Sequence, residues 1–421
     1  MIRLLDNTTT TKFNYFYLFC IVIFAGNATA FARSLGNPIA LGNAIALLLS
    51  FLFCYKNKIV IKKNFIYTII AYSIYAVLTF INNNLMSPMW YCQIVTFLFI
   101  AYIICQGYKK SFFVLYETII YHLSIIAIIF WSVYLIAPGV IETVVSIFQF
   151  DKSYSEEAID SKNMIIYTLL SEDRQTNNYI NLLRNAGFAW EPGAFSCILC
   201  LAIYCNMLRT NCKIKQNKHL LILILTLATT FSTTGYMIFL CMIFFVWFIL
   251  KKKYAVGIIL IPTIVMIFQL QFVQEKMFNE FTNVDNVNID LFDEEKTVSL
   301  GRIASLKYDF MEFLRHPILG LGGYTEGTWL AKMGYNIATI SGIGKLLSMY
   351  GIIITIIFFV LLFKSAKIIG KNFNTNISWL LPVVIIGTMI SYNLWLNPIY
   401  IIFWMYCLLG YKDFDKLKIQ F

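Results

Sequence analysis

The chain has 421 residues, of which 59% are hydrophobic and only 13% charged, and its formal net charge is +11. Charged residues make up about a quarter of a soluble domain, so this composition, with a mean hydropathy of +0.71, excludes a soluble globular protein and indicates a polytopic membrane protein. The basic residues form short clusters between apolar segments, as the positive-inside rule describes, and this pattern argues against a nucleic-acid partner.

Long apolar segments predict the fold class. A transmembrane helix needs about 17–25 predominantly apolar residues, and this criterion predicts an all-α, polytopic integral membrane protein with about 12 transmembrane helices in a single membrane domain. The predicted spans are 13–31, 39–55, 65–81, 90–106, 112–136, 193–208, 219–233, 235–250, 254–271, 342–363, 378–392 and 395–411. Only residues 232–235 separate the seventh span from the eighth, so either could be half-buried or re-entrant.

The distribution of Lys and Arg predicts the orientation of these spans. The side that contains both termini has a large excess of basic over acidic residues, whereas the other side has an acidic excess. Because basic residues in short loops stay on the cytoplasmic side, we expect both termini to be cytoplasmic.

Glu117 is an ionisable residue inside the fifth predicted span. Charged groups in the hydrocarbon core are costly and often functional. Glu117 lies about two helical turns from Lys109 and Lys110. It could therefore reach the interface that these lysines mark, and a paired or a proton-path role is left open.

This topology leaves two long extracytoplasmic loops, residues 137–192 and 272–341. Loops of this length are usually functional or disordered. In the first loop, 176–186 is expected to form a surface helix that carries Arg184. In the second, apolar residues at helical spacing predict an amphipathic helix near 302–315 that lies along the outer membrane face. These apolar residues are Ile303, Leu306, Phe310, Phe313 and Leu314.

Cysteine and histidine offer little material for a metal site. The ten cysteines lie in or beside apolar segments and outside the two long loops, so we expect no structural disulfide. The three histidines are far apart in the sequence, so a zinc site has few ligands to draw on. We therefore predict no metal and no cofactor.

The first candidate motif stands where the first long loop re-enters an apolar helix. Residues 184–193 read Arg-Asn-Ala-Gly-Phe-Ala-Trp-Glu-Pro-Gly. Pro192 suits the first position of a helix, and the carboxylate of Glu191 faces the positive end of the helix dipole. Two interpretations remain open here: a reactive carboxylate beside a phosphate-binding Arg184, or a simple cap beside an arginine that faces lipid headgroups.

The second candidate motif lies in the second long loop. Gly301-Arg302 opens the predicted amphipathic helix, which ends at His316-Pro317 and leads into Leu-Gly-Leu-Gly at 319–322. The glycines allow a tight turn or a close approach to a ligand. They do not form a phosphate P-loop, which needs Gly-Lys-Ser/Thr after a strand.

These two motifs carry a family resemblance. Arg-x-x-Gly-Phe-x-x-Glu-Pro-Gly before a membrane helix resembles the O-antigen polymerase family, and Gly-Arg … His-Pro-x-x-Gly-x-Gly is similar to a block of the O-antigen ligase and polymerase superfamily. The resemblance implies a glycosyltransferase that polymerises polyprenyl-diphosphate-linked oligosaccharide repeat units into O-antigen or capsular polysaccharide. The reaction would take place at the outer face of the bacterial inner membrane.

The resemblance also implies roles for individual residues. Arg184 and Arg302 are expected to bind the substrate diphosphate, because a guanidinium matches phosphate oxygens and remains charged. Glu191 and His316 are the candidate catalytic bases, with Glu191 slightly favoured because His316 could merely cap a helix C-terminus. Weaker candidates are Arg174, Arg315 and Tyr324.

Two alternative functions remain open. An O-antigen ligase would transfer the finished glycan to lipid A-core, but ligase-like members carry a His-Asn soon after the glycine-rich stretch, and this chain has no histidine after His316. A lipid-linked oligosaccharide flippase or transporter would need charged or broken helices near the bilayer midplane, and here the charge is concentrated in the loops. The expected partners are the lipid-linked oligosaccharide and the bilayer, with a chain-length regulator protein left open and no nucleic acid.

Overall fold

The computed structural model describes residues 12–26, 29, 38–83, 87–149, 162–170, 176–177, 180–213, 216–252, 298–335 and 337–409. The predicted span 254–271 and the first part of the second long loop lie outside these residues. The described part of the chain is mainly α-helical. Its helices are α1 Lys12–Phe24, α2 Pro38–Lys56, α3 Lys63–Asn83, α4 Pro88–Tyr108, α5 Ser111–Ile136, α6 Pro138–Ile147, α7 Pro192–Thr210, α8 Lys218–Thr229, α9 Thr233–Phe244, α10 Arg302–Arg315, α11 Trp329–Lys332, α12 Gly342–Phe373, α13 Leu380–Ser391 and α14 Pro398–Met405.

Six helices in the described part of the chain are long and apolar enough to cross a membrane. They are α3, α4, α5, α7, α12, and α9 together with the π-helical turn Phe245–Leu250 that extends it. Several other apolar helices are shorter; α8, for example, has 12 residues and is about 18 Å long, against roughly 30 Å of hydrocarbon. The structure is therefore compatible with a polytopic α-helical membrane protein, whereas the count of twelve spans is not confirmed.

The first long loop contains strands where we expected a helix. Two antiparallel hairpins pair β1 Lys162–Met164 with β2 Tyr167–Leu169, and β3 Thr176–Asn177 with β4 Ile180–Leu183. The expected surface helix over 176–186 is wrong, because Thr, Tyr and Ile around consecutive asparagines favour a hairpin over a helix. The indole Nε1 of Trp131 donates to the carbonyl oxygen of Leu183 at 2.8 Å, which ties the second hairpin to α5.

Helix α7 lies at the centre of the bundle. Every residue from Pro192 to Leu208 is buried, and α5, α8, α9 and α13 all pack against it. Its sequence is rich in small side chains, among them Gly193, Ala194, Ser196 and Cys197, which allow neighbouring helices to approach closely.

A buried polar cluster joins the far end of α7 to α5 and α8. Arg209 donates from Nε and Nη2 to the two carboxylate oxygens of Glu117, each at 2.7 Å. Asn206 and His219 add contacts to the same carboxylate at 2.6 and 3.0 Å. Of the two roles left open for Glu117, the structure shows a pair, which Glu117 forms with Arg209 across two helices.

Helix α10 packs its polar face, rather than its apolar one, against α12. Asp309 and Glu312 are buried there: Asp309 Oδ1 accepts from the Thr339 hydroxyl at 2.9 Å, and Glu312 Oε2 accepts from a backbone N–H at 2.8 Å. The apolar side chains Leu306 and Leu314 are 42% and 61% exposed. This arrangement leaves the apolar face of α10 available to lipid.

Helix α12 is interrupted at Gly351, whose φ of 68° and ψ of −178° are not helical. The turn at 317–323 inserts into this break, and its backbone N–H groups donate to the carbonyl oxygens of Ser348 and Met349, which the broken helix leaves exposed. Tyr75 of α3 donates to the Leu319 carbonyl oxygen at 2.6 Å, and Asn83 donates to that of Gly320 at 2.7 Å. The glycine-rich segment therefore supplies hydrogen-bond donors to carbonyl groups at the break in α12.

Replacement of Gly351 by Ala tests this insertion. A Cβ at this position would meet the Ile318 carbonyl group in a backbone conformation that L side chains rarely adopt, and we expect a loss of ~2–4 kcal/mol in the free energy of unfolding. Gly334→Ala is the matched control, because Gly334 has φ +88° with nothing within 4 Å, and it should cost about 1 kcal/mol. Thermal unfolding in detergent, followed by tryptophan fluorescence, measures both. Equal losses in the two variants would contradict the close approach.

The pH dependence of stability tests the burial of Asp309. Burial raises the pKa of the Asp309 carboxyl to about 7, against partial compensation by Lys345 and the Thr339 hydroxyl. The folded chain thus keeps this proton at a higher pH than the unfolded chain does, so the stabilisation is full below about pH 4 and is lost as the pH rises to about 7. Asp309→Asn should remove this dependence, which we expect to be on the order of 5 °C in Tm.

The exposed carboxylate of Glu326 provides the control for this pH series. Glu326→Gln should retain the wild-type fall in Tm between pH 4 and 7. A wild-type Tm that is constant over this range, or one that falls equally in Asp309→Asn, would show that Asp309 is not the group responsible.

Candidate functional site

The start of α7 presents a carboxylate that does not cap the helix. Glu191 occupies the N-cap position with extended backbone angles, φ −157° and ψ 158°, yet its side chain makes no capping hydrogen bond. Pro192 follows at the first helical position, where its missing N–H costs nothing. The Glu191 carboxylate is therefore available for contacts outside the helix.

The loop before α7 is fixed by Asn185 and Gly187. The buried Asn185 side chain accepts from the Gly187 N–H at 3.0 Å and donates to the Thr229 hydroxyl at 3.0 Å and to the Ala127 carbonyl oxygen at 3.3 Å. Gly187 has φ +54° and lies against the ring of Phe195, where a Cβ would collide. These contacts attach the loop to α5 and α8 and so determine the position of the neighbouring Arg184.

Tyr392, just after α13, lies at the centre of the site. Its hydroxyl approaches Gly193 so closely that a side chain there could not be accommodated. The guanidinium carbon of Arg302 lies 5.9 Å from the centroid of the Tyr392 ring. Glu191 and Arg302 both interact electrostatically with the phenol. Tyr392 therefore contacts residues at the N-terminus of α7 and at the N-terminus of α10.

Arg184 lies close to the same three residues, Tyr392, Glu191 and Arg302. Burial lowers the pKa of its guanidinium; Tyr392 and Glu191 counteract this effect, and the nearby Arg302 adds to it. Its Nε atom is buried without a hydrogen-bond partner. A buried guanidinium N–H usually has an acceptor, so this group has the capacity to bind an anion.

Arg184, Glu191, Arg302 and Tyr392, which we call the arginine–tyrosine cluster, have a definite chemical capacity. Two guanidinium groups can stabilise the charge that develops on a phosphate leaving group. A carboxylate beside them can accept a hydrogen bond, and then a proton, from an incoming hydroxyl. The cluster therefore combines the two requirements of glycosyl transfer from a lipid diphosphate.

The other predicted residues lie elsewhere. His316 follows the last residue of α10, fourteen positions after Arg302, which is about 21 Å along the helix axis. Its Nε2 is 3.8 Å from a carboxylate oxygen of Glu312, and its backbone N–H caps the helix. Arg315 stacks on Trp329 at 4.7 Å, and the Tyr324 hydroxyl donates to Glu326 at 2.6 Å. Arg174 lies outside the described residues.

Sequence reasoning missed Tyr392. The available signal was a polar interruption, Ser-Tyr-Asn at 391–393, between two apolar segments that both read as spans. Such an interruption indicates only a turn at the membrane surface. Among the residues that the structure describes, no three His, Cys, Asp or Glu side chains group together in a way that could hold a metal ion.

Comparison with known proteins agrees with the second motif. Residues 219–342 match a family model described as O-Antigen ligase. The matched region includes Arg302 and His316, whereas Arg184 and Glu191 precede it and Tyr392 follows it. No curated protein matches the chain. The family match does not distinguish polymerases from ligases, and at the level that they share it confirms the resemblance: residues 219–342 are similar to the O-antigen ligase/polymerase superfamily.

Proposed function

We propose that the chain polymerises polyprenyl-diphosphate-linked oligosaccharide repeat units at the outer face of the inner membrane. The observation that carries this proposal is the convergence of Arg184, Arg302 and Glu191 on Tyr392. Arg184 and Glu191 come from one loop and Arg302 from a distant one, and together they provide cations for a diphosphate and a carboxylate for an acceptor hydroxyl. The family match over residues 219–342 supports a glycan as the transferred group.

In the proposed reaction, a hydroxyl of the acceptor sugar attacks the anomeric carbon of the donor glycan. The new bond joins that carbon to the acceptor oxygen, and the bond to the diphosphate breaks with its electron pair on the phosphate oxygen. Arg184 and Arg302 stabilise the departing diphosphate. Glu191 orients the acceptor hydroxyl and receives its proton.

Glu191 is preferred to His316 as the base because of its surroundings. Its carboxylate interacts with Tyr392, which in turn interacts with Arg302, so a hydroxyl held by Glu191 would lie beside a diphosphate held by the arginines. His316 is about 21 Å along α10 from Arg302 and has Glu312 as its neighbour. We therefore propose that His316 has a structural role at the end of α10 and does not act on the substrate.

A ligase that transfers the glycan to lipid A-core is the second candidate. The description of the matched family favours it. The absence of a histidine after His316 favours the polymerase, because the resemblance implies a His-Asn soon after the glycine-rich stretch in ligase-like members. For both reactions we propose cytoplasmic termini, on the distribution of Lys and Arg, and a chain-length regulator remains a proposed partner of the polymerase.

Complementation tests whether the two arginines act on the diphosphate. In a strain that lacks its own polymerase, the wild-type chain should restore a glycan ladder on gels. Arg184→Ala and Arg302→Ala should each reduce polymer at least about 100-fold and leave single repeat units, because each removes a cation that acts on the leaving group. Arg184→Lys and Arg302→Lys should restore activity only in part, since lysine cannot bind two phosphate oxygens in a fork.

Arg315→Ala is the matched control on the same helix as Arg302. Arg315 contacts Trp329 at the opposite end of α10, so this variant should keep the ladder at equal membrane levels. If the wild type instead attaches existing glycan to lipid A-core without lengthening it, the ligase function is correct. A ladder of normal intensity from both Arg→Ala variants would leave the family function intact and remove the arginine–tyrosine cluster as its site.

Substitution of Glu191 and of His316 separates the two candidate bases. Glu191→Gln keeps the shape of the side chain but cannot take a proton, and it should reduce polymer on the order of 100-fold. His316→Ala should reduce polymer less than about fivefold if the histidine is structural. The ladders of the two variants are compared at matched protein levels, and the reverse order of effects would identify His316 as the base.

A further inference from the structure

A cavity of about 710 Å³ opens at the lysine-rich end of the helix bundle. Asn211, Lys251 and Asn374 line it, at the C-terminal ends of α7, of the π-helical turn after α9, and of α12. Helix α7 has 19 residues and begins beside Glu191, so about 28 Å of helix separates the cavity from the arginine–tyrosine cluster. The cavity is therefore distinct from the site proposed for glycan transfer.

The charge of the cavity favours an anion. Lys251, Lys367 and Lys371 line it, and none of the lining residues within the described part of the chain is acidic. The C-termini of α7, of the π-helical turn after α9 and of α12 end there, and each carries a partial charge of roughly −0.5. Against these three helix ends, the three lysines leave a surplus of roughly 1.5 positive charges. The lysines thus exceed what the helix dipoles require.

One edge of the cavity meets the lipid-facing surface of α12. Trp379 lines this edge. The distance between the ring centroids of Trp379 and Phe363 is 6.4 Å. Phe363 is 44% exposed and Val360 is 43% exposed on the same side of the bundle. Tryptophan is enriched at the level of lipid headgroups. A lipid whose headgroup occupied the cavity would have its acyl chains beside Phe363 and Val360.

We propose that this cavity binds the phosphate group of an anionic membrane lipid. Basic cavities between transmembrane helices on the cytoplasmic side are suited to such headgroups. The lysines supply the positive charge, and the side-chain amides of Asn374 and Asn376 supply further donors for phosphate and glycerol oxygens. The bound lipid joins the ends of three helices, so it also stabilises the bundle.

The test uses the full chain purified in detergent and mixed with equal amounts of phosphatidylglycerol and phosphatidylcholine. Native mass spectrometry counts the lipids that remain bound, and the wild type should retain phosphatidylglycerol at least about tenfold over phosphatidylcholine. Lys251→Gln with Lys367→Gln should weaken this retention about fivefold for each lysine removed. Lys364→Gln is the matched control, because this exposed lysine on α12 does not line the cavity, and it should behave as the wild type does.

A parallel competition with inorganic phosphate and diphosphate separates the two sources of phosphate. If millimolar diphosphate displaces phosphatidylglycerol and anionic vesicles do not raise the Tm above that in phosphatidylcholine vesicles, the site takes a soluble anion and the lipid assignment is overturned. No lipid preference in the wild type, or equal loss in the double variant and in Lys364→Gln, overturns the site itself.

Folding of the double variant is checked independently of lipid binding. It leaves the arginine–tyrosine cluster intact, so its size-exclusion profile and its glycan ladder should match those of the wild type. If the double variant does not fold, the single variants Lys251→Gln and Lys367→Gln provide the same comparison against Lys364→Gln. A single variant that folds but retains phosphatidylglycerol like the wild type would count against the proposal.

Discussion

The close packing around helix α7 is the constraint on which the rest of the structure depends. All residues from Pro192 to Leu208 are buried, four helices pack against α7, and small residues allow close approach at points such as Gly235 of α9 against Ser196. A helix buried in this way inside a membrane bundle has little room for polar groups along its length. Polar chemistry is therefore confined to its two ends, where Glu191 and Arg209 lie.

The two ends of α7 differ in how completely their polar groups are paired. At the Arg209 end, both carboxylate oxygens of Glu117 accept charge-assisted hydrogen bonds, and Asn206 and His219 complete the cluster. An ion pair satisfied to this degree fixes the packing of helices. At the other end, Arg184 keeps a buried N–H without a hydrogen-bond partner. Complete pairing is typical of a structural role, and incomplete pairing is typical of a site that awaits a ligand.

The break in α12 links the second motif to this site. The glycine-rich turn at 317–323 fills the interruption at Gly351 and supplies hydrogen bonds to the carbonyl groups that the break exposes. Helix α10 leads into that turn and packs its buried carboxylates, Asp309 and Glu312, against α12. These contacts fix the last turn and one face of α10. The first turn of α10 then places Arg302 beside Tyr392. The glycines therefore help to position Arg302 indirectly, because they fix the end of α10 at a distance from the cluster.

The sequence by itself determined that the protein lies in a membrane, which superfamily it resembles, and that Pro192 begins a helix, because hydropathy, charge, short motifs and proline geometry act over a few neighbouring residues. It did not determine the hairpin at 176–183, the partner of Glu117 or the presence of Tyr392 beside Arg302. The hairpin has a local signal in its asparagines and β-formers, which competes with a helical pattern in the same residues. The two contacts depend on which distant segments pack together: Arg209 reaches Glu117 because α5 and α7 pack side by side, and Tyr392 reaches Arg302 because Gly193 leaves room for a phenol. Only the tertiary structure decides which side chains of distant elements meet, since such a contact leaves no periodic signal in either element.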